Sequence, residues 1–269
     1  MAEPRKSVRA ADARLRPRGA APLRGLWLLL VGLIAWQIFG SQNSPYFPLP
    51  LDWIRALNAL RSSGRLWPAL ETTLTSFVFG LLASVVIGTV VGIVLGRSAA
   101  LDRLTSPILE FGRTMPAGAL VPVAVLIMGY TASMTLLVVT LTSFWPILLN
   151  VRTAAKSISP DRLDTARSLR LSWWDTQTKI FLPSVIPAIQ LGTQIAAPVV
   201  LIIVLLVEIL TQVSGIGREI AVAQATFRSS TVFGLVMLTG LLGLIVNWII
   251  GWSGRLTRIY EPSVSGGVP

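Results

Sequence analysis

DRLDTARSLRLSWWDTQTKIFLP, residues 161–183, is the longest charged interruption in an otherwise apolar sequence. Leu163, Ala166 and Leu169 recur at helical spacing, with Arg162, Asp164 and Arg167 between them. A second short run carries Trp173, Trp174, Gln177, Ile180 and Phe181. Pro183 is expected to stop that run and to open the next hydrophobic one. The stretch therefore predicts two short amphipathic helices joined by a bend. Such helices have two uses: their apolar anchors dock into a groove of a partner protein, or they lie on a lipid surface.

What flanks this stretch sets the class of the molecule. Hydrophobic residues make up 53% of the 269-residue chain and charged residues 13%, with a mean hydropathy of +0.70. A soluble domain carries about 25% charged residues, so this is an all-α, polytopic membrane protein. The absence of Cys removes a disulfide framework, a thiol nucleophile and Cys-ligated metal. The absence of His removes Ser-His and Cys-His catalysis and His-ligated metal. No catalytic residue and no metal site is assigned.

Outward from the charged stretch, about six transmembrane segments are expected. The fifth covers 184–210, with Gln190, Thr193 and Gln194 on one helical face and Pro198 as a kink. That polar face suits a solute path or plain hydrogen bonding between helices. Residues 208–230 follow as an outside segment with a glycine turn and a short helix. There Glu208 reads either as a solvated helix end or as a functional acid. The sixth span covers 232–252, with Gly240, Gly243, Asn247 and Gly251 as a packing face.

On the N-terminal side, the fourth span covers 134–151 and ends in Phe-Trp-Pro-Ile-Leu-Leu-Asn, residues 144–150. The third covers 108–130 and holds Pro116 and Pro122, which break backbone bonds and are tolerated where protein or a cavity replaces them. Arg97, Asp102 and Arg103 form a short inside loop before it. The second span covers 70–96 and carries Gly80, Ser84, Gly88, Gly92 and Gly96. This small residue at every fourth position lets another helix approach closely. Residues 41–69 read as an outside loop with a surface helix at 51–60, and 23–39 as an uncleaved first helix anchored by Trp27 and Trp36. The basic stretch 1–22 reads as a disordered cytoplasmic tail, with a signal-peptide n-region as the alternative. The chain thus divides into that tail, residues 23–64 with the first helix and outside loop, a core over 65–260, and a C-terminal tail at 261–269.

Charge supports this topology. Segments assigned to the inside are rich in Lys and Arg, among them Arg5, Lys6, Arg9, Arg97, Arg152, Lys156, Arg162, Arg167, Lys179, Arg255 and Arg258. Those assigned to the outside hold only Arg55, Arg61, Arg65, Arg218 and Arg228. A net charge of +11 is then a positive-inside bias and not a nucleic-acid footprint. It puts both termini and the 161–183 stretch in the cytoplasm.

Residues 152–183 resemble the coupling loop of permease subunits of ATP-binding-cassette importers. The family pattern is Glu-Ala-Ala, three residues, Gly, nine residues, then Ile-x-Leu-Pro. At that spacing this chain has Asp164-Thr165-Ala166, Arg170, and Ile180-Phe181-Leu182-Pro183. Arg170 replaces the bend glycine, which predicts either a bend of different shape or a partner ATPase that compensates. TMPAGALVPVAVLIMGY at 114–130 is similar to the family's proline-broken helix beside the translocation path, and Glu208, Leu210 and Ser214–Gly217 to its Glu-x-Leu…Ser-Gly-Ile-Gly segment.

The likeness, closest to permeases for alkanesulfonates, taurine and nitrate, covers roughly 65–260 and implies a type I importer (MetI-like) fold. It implies docking to two cytoplasmic ATPase subunits through Leu163, Asp164, Thr165, Ala166, Leu169, Arg170, Ile180, Leu182 and Pro183. Pro116, Pro122, Gln190, Thr193 and Gln194 would border the path; many relatives have a basic residue near position 194. A second permease copy, an external or periplasmic solute-binding protein and membrane lipid complete the partners, in the bacterial inner membrane. No phosphate-binding GxxxxGK[ST] loop is present, so the chain is not expected to be an enzyme: ATP and Mg would belong to the partner subunit. The expected cargo is a small polar solute, a sulfonate, taurine or nitrate-like anion; a vitamin precursor or other heterocycle is the alternative. From another class, an ATP-independent secondary transporter would need midplane ionisable residues and repeated halves. Homodimer and heterodimer both remain open.

Overall fold

The computed structural model describes residues 24–41, 44–159, 164–166 and 168–257. Among them there are helices and no strands. In chain order the helices are α1 (Arg24–Phe39), α2 (Pro50–Ser62), α3 (Leu66–Arg97), α4 (Ala99–Thr114), α5 (Ala117–Met128), α6 (Ala132–Ser143) and α7 (Trp145–Lys156). A helical turn at 164–166 leads to α8 (Trp173–Thr211), then α9 (Ile216–Ala225) and α10 (Ser229–Thr257).

Three helices are long and apolar enough to cross a bilayer, and up to five crossings result if each bent pair is one span. Among the described residues the apolar run of α1, Trp27–Phe39, is 13 residues, against the roughly 20 a bilayer needs. By contrast α3, at 32 residues, is about 48 Å long and overreaches a hydrocarbon core of about 30 Å.

The third span is not one helix. Ser98 caps α4, its hydroxyl accepting from the Leu101 N–H at 3.3 Å, so the expected inside loop is a helix. Met115 and Pro116 are extended, and α5 leaves at 95° to α4. Likewise the Phe-Trp-Pro motif marks a 43° bend between α6 and α7 and not the end of a span, because helix resumes with Pro146 in its first turn.

The small-residue stripe of α3 is where the bundle closes. A Cβ on Gly80 would lie 2.5 Å from Val139, on Gly88 2.9 Å from Ile147, on Gly92 2.9 Å from the Leu148 carbonyl, and on Gly96 2.5 Å from Ala155. Both helices advance together along this seam, so α3 runs parallel to α6–α7. Ser84, between the glycines, is wholly buried. α8 packs antiparallel on the same pair, with Gly192 against the Ile147 backbone and Ala197, Val200 and Val204 beside Val138 and Val139. Val121 and Ala124 of α5 close this core.

The glycines of α10 do otherwise. Gly243 meets Leu201 of α8 at 3.5 Å, but Gly240 and Gly251 have nothing within 4 Å and Asn247 is exposed; the tight contact is at Gly234, which meets Trp53 and Leu57 of α2. α2 is therefore no free surface helix: Trp53 and Leu60 are buried. Trp36 is not an interfacial anchor but packs edge-on to Trp53 at 5.2 Å and Phe233 at 5.8 Å.

Pro183 does not stop a helix. α8 runs through it, and through Pro187 and Pro198. The chain accommodates the first proline with a π-helical turn at Gln177–Phe181, in which the Leu182 N–H donates to the Gln177 carbonyl five residues back.

Candidate functional site

The turn between α7 and α8 carries the sequence-predicted coupling residues. Ala166 is buried, while Asp164 and Thr165 are exposed. Leu163, with Arg162 and Arg167, lies outside the described residues. The turn ends with the Leu169 N–H donating to the Thr165 carbonyl at 2.9 Å and the Leu171 N–H to the Ala166 carbonyl at 3.0 Å. That second bond, across six residues, is the Schellman closure, which places its penultimate residue in left-handed conformation. That residue is Arg170, at φ 49°. Arg170 adopts the left-handed conformation that glycine favours, at a cost of about 1–2 kcal/mol, because the two backbone bonds and buried Ala166 hold it there. α8 then starts at Ser172, whose hydroxyl accepts from the Asp175 N–H at 3.1 Å, and Asp175 pairs with Lys179 at 2.7 Å. Ile180 and Pro183 are half-buried, Phe181 is buried and Leu182 is exposed.

Among the polar residues of the turn stand three exposed apolar side chains. Leu169 is 67% exposed, Trp173 62% and Trp174 72%. Beside them the bundle is clasped by charge. Asp102 at the start of α4 is buried and pairs with both Arg152 and Lys156 of α7. Arg97, ending α3, donates to Gln177 at 2.8 Å and lies 4.9 Å over the Phe181 ring. These four helix ends enclose a cavity of about 700 Å³. The coupling turn is thus attached through α7 to α3 and α4, and through α8 to the far end of the bundle.

The sequence-predicted path residues fall in two groups. Pro116 sits at the 95° bend and Pro122 inside α5, both exposed. Gln190, Thr193 and Gln194 are half-buried on α8, and Thr193 donates to the Ile189 carbonyl at 2.7 Å.

At the far end, Glu208 is neither solvated nor a helix end. It is 1% exposed, three residues before α8 stops. Its carboxyl oxygens accept from the Thr73 hydroxyl of α3 at 2.9 Å and from the Gly217 N–H at 2.8 Å. Thr73 in turn accepts from the Ile216 N–H at 2.8 Å. The first turn of α9 has N–H groups with no partner inside the helix, and this bracket satisfies two of them. Gly215, at φ 148°, has no room for a side chain against the Glu208 carboxyl group.

A family described as binding-protein-dependent transport system inner membrane component matches residues 84–259. The chain belongs to that family. As an inner membrane component it is similar to the putative aliphatic sulfonates transport permease protein SsuC of Bacillus subtilis, at 24% identity over 247 residues, covering 91% of this chain and 90% of the relative. It is also similar to the nitrate import permease protein NrtB of Leptolyngbya laminosa, at 27% identity over 94% of this chain and 95% of the relative. A third relative, the bicarbonate transport system permease protein CmpB of Synechococcus elongatus, is 29% identical over 89% of this chain and 94% of its own length. Among solved structures, an inward-facing MetNI methionine ABC transporter chain matches with a TM-score of 0.56 at 20% identity, covering 74% of this chain and 96% of that one. That likeness establishes the type I importer permease fold of this inner membrane component.

Sequence reasoning missed the two polar fasteners. Arg152 and Lys156, four apart on one helical face, were a legible sign of a shared acidic partner. Nothing local marks Thr73 as the partner of Glu208, 135 residues away.

Proposed function

We propose that the chain is the transmembrane subunit of an ATP-driven importer, and that it forms the translocation path for a small polar anion of the sulfonate, taurine or nitrate type. Two copies would work with two cytoplasmic ATPase subunits, which supply ATP and Mg, and with an external binding protein that delivers the solute. The observation that carries this reading is the apolar presentation of Leu169, Trp173 and Trp174 on a backbone-locked turn at a charged end of the bundle. Exposed apolar anchors on either side of a fixed bend suit a groove on a protein partner. Because Asp102 ties α7 to α4 and Gln177 ties α8 to α3, a partner that moves the turn displaces the helices bordering the path. Sulfonate, nitrate and bicarbonate in the names of three relatives support an oxyanion as cargo.

The test is purification from the native membrane in mild detergent, with partners identified by mass spectrometry. An ATPase subunit should accompany the native chain and be lost with Leu169→Asp. Retention of the ATPase by Leu169→Asp, or its absence from the intact native complex, refutes the docking role.

A further inference from the structure

A second cavity opens at the far end of the bundle, away from the coupling turn. Its volume is about 490 Å³, and its walls come from α3, from the α5–α6 turn and from the segment joining α8 to α9. Arg218 is its single cation and no acidic residue lines it. Ser76, Tyr130, Gln212 and Ser214 contribute uncharged donors. Among the described residues Arg218 makes no ion pair or hydrogen bond, and neither do the side chains of Ser76, Tyr130 or Ser214. Of the acids next to the lining residues in the fold, Glu219 pairs with Arg65 at 2.5 Å, Glu208 is held by Thr73 and Gly217, and Glu71, beside Thr72, is exposed and is not part of the lining.

A guanidinium offers a rigid fork of five N–H donors that matches two oxygens of one anion. Hydroxyl groups on the facing walls can donate to the remaining oxygens. A positive charge with nothing negative beside it attracts anions and repels cations. We propose that this cavity is the entry site for a small oxyanion, held by Arg218 and the hydroxyls of Ser76, Tyr130 and Ser214. The proposal deepens the importer reading and rests on it for the direction of travel. It also puts the positive charge at the mouth of the path, where α8 has the neutral Gln194 at its middle.

The chain has no cysteine, so Ser214→Cys or Ser76→Cys introduces one thiol into the full-length protein in its native membrane. The probes are sulfonatoethyl methanethiosulfonate, which is anionic, and its trimethylammonium analogue, which is cationic. Rates are taken at low ionic strength, to limit screening, and normalised to free cysteine. One charge about 6 Å away in a watery site changes a rate about threefold per unit charge, so the anionic probe should be favoured about tenfold. Arg218→Gln should abolish the preference and Arg218→Lys should keep it. Millimolar nitrate, bicarbonate or ethanesulfonate should slow the labelling, and glucose should not. Equal normalised rates, a preference that survives Arg218→Gln, or no labelling at either position overturns the proposal. Solute uptake by the assembled complex separates the two readings. If ATP-driven uptake is absent while the charge preference stands, the importer reading fails and the anion site remains. If uptake is present without the preference, only the entry site fails.

Discussion

Replacing Glu208 with alanine should loosen one end of the molecule while leaving the other intact. The carboxyl group accepts from the Thr73 hydroxyl at 2.9 Å and from the Gly217 N–H at 2.8 Å, in a site where the residue is 1% exposed. Alanine leaves both donors facing apolar surroundings, at about 1–3 kcal/mol each. It also vacates volume beside Gly215 and Gly217, whose Cα atoms approach the side chain too closely for any Cβ, and an unfilled void adds to the cost. The total is about 3–6 kcal/mol. For a chain of this size 1 kcal/mol shifts Tm by about 2–4 °C, so a loss on the order of 10 °C is expected. Glu208→Gln keeps one acceptor oxygen in place and should fall between the two. Thr73→Val removes the donor to Glu208 and the acceptor of the Ile216 N–H. Combined with Glu208→Ala it should cost less than the sum of the single changes, since both act on one bracket. The assay is thermal unfolding in mild detergent, followed by size-exclusion chromatography, with amide exchange measured across 216–225. Exchange there should rise in Glu208→Ala and stay unchanged across 164–172. Native-like melting together with native-like exchange at 216–225 would refute the bracket.

Two further outcomes separate close packing from mere composition. Gly92→Ala puts a Cβ 2.9 Å from the Leu148 carbonyl and should destabilise by about 1–3 kcal/mol, whereas Gly240→Ala, with nothing within 4 Å, should be neutral or slightly stabilising. Equal melting of the two variants would contradict the α3–α7 seam. Arg170→Gly relieves a left-handed non-glycine residue and should stabilise the turn by about 1 kcal/mol, with ATPase co-purification undiminished. A loss of the ATPase in that variant would mean that the Arg170 side chain itself takes part in docking.

The legible part of the fold was the part written at fixed spacing. A small residue at every fourth position of α3 pointed to a close helix seam, and Gly80, Gly88, Gly92 and Gly96 meet α6–α7 there. The same rule held only in part for α10, because glycine spacing shows that approach is permitted and not that a neighbour is present: Gly243 meets Leu201, Gly240 and Gly251 meet nothing, and the tight contact is at Gly234. Proline gave boundaries only where the backbone also turned. Pro116 marks a 95° bend, but Pro183 lies inside α8, since a π turn absorbs its missing N–H. At the coupling turn, the residue type at position 170 argued against a left-handed residue, and the local backbone bonds that close the turn hold Arg170 there all the same. Glu208 was ambiguous because its partners, Thr73 and two backbone N–H groups, come together only after three elements have packed.

The π turn at Gln177–Phe181 has a mechanical corollary. It holds one residue more than an α turn between the coupling segment and the apolar length of α8. Closing it to α geometry would rotate Trp173 and Trp174 by about 100° around the helix axis and advance them by about 1.5 Å. The π turn therefore sets the phase between the exposed Trp173 and Trp174 and the polar face of Gln190, Thr193 and Gln194 on the same helix, like a key cut into a shaft.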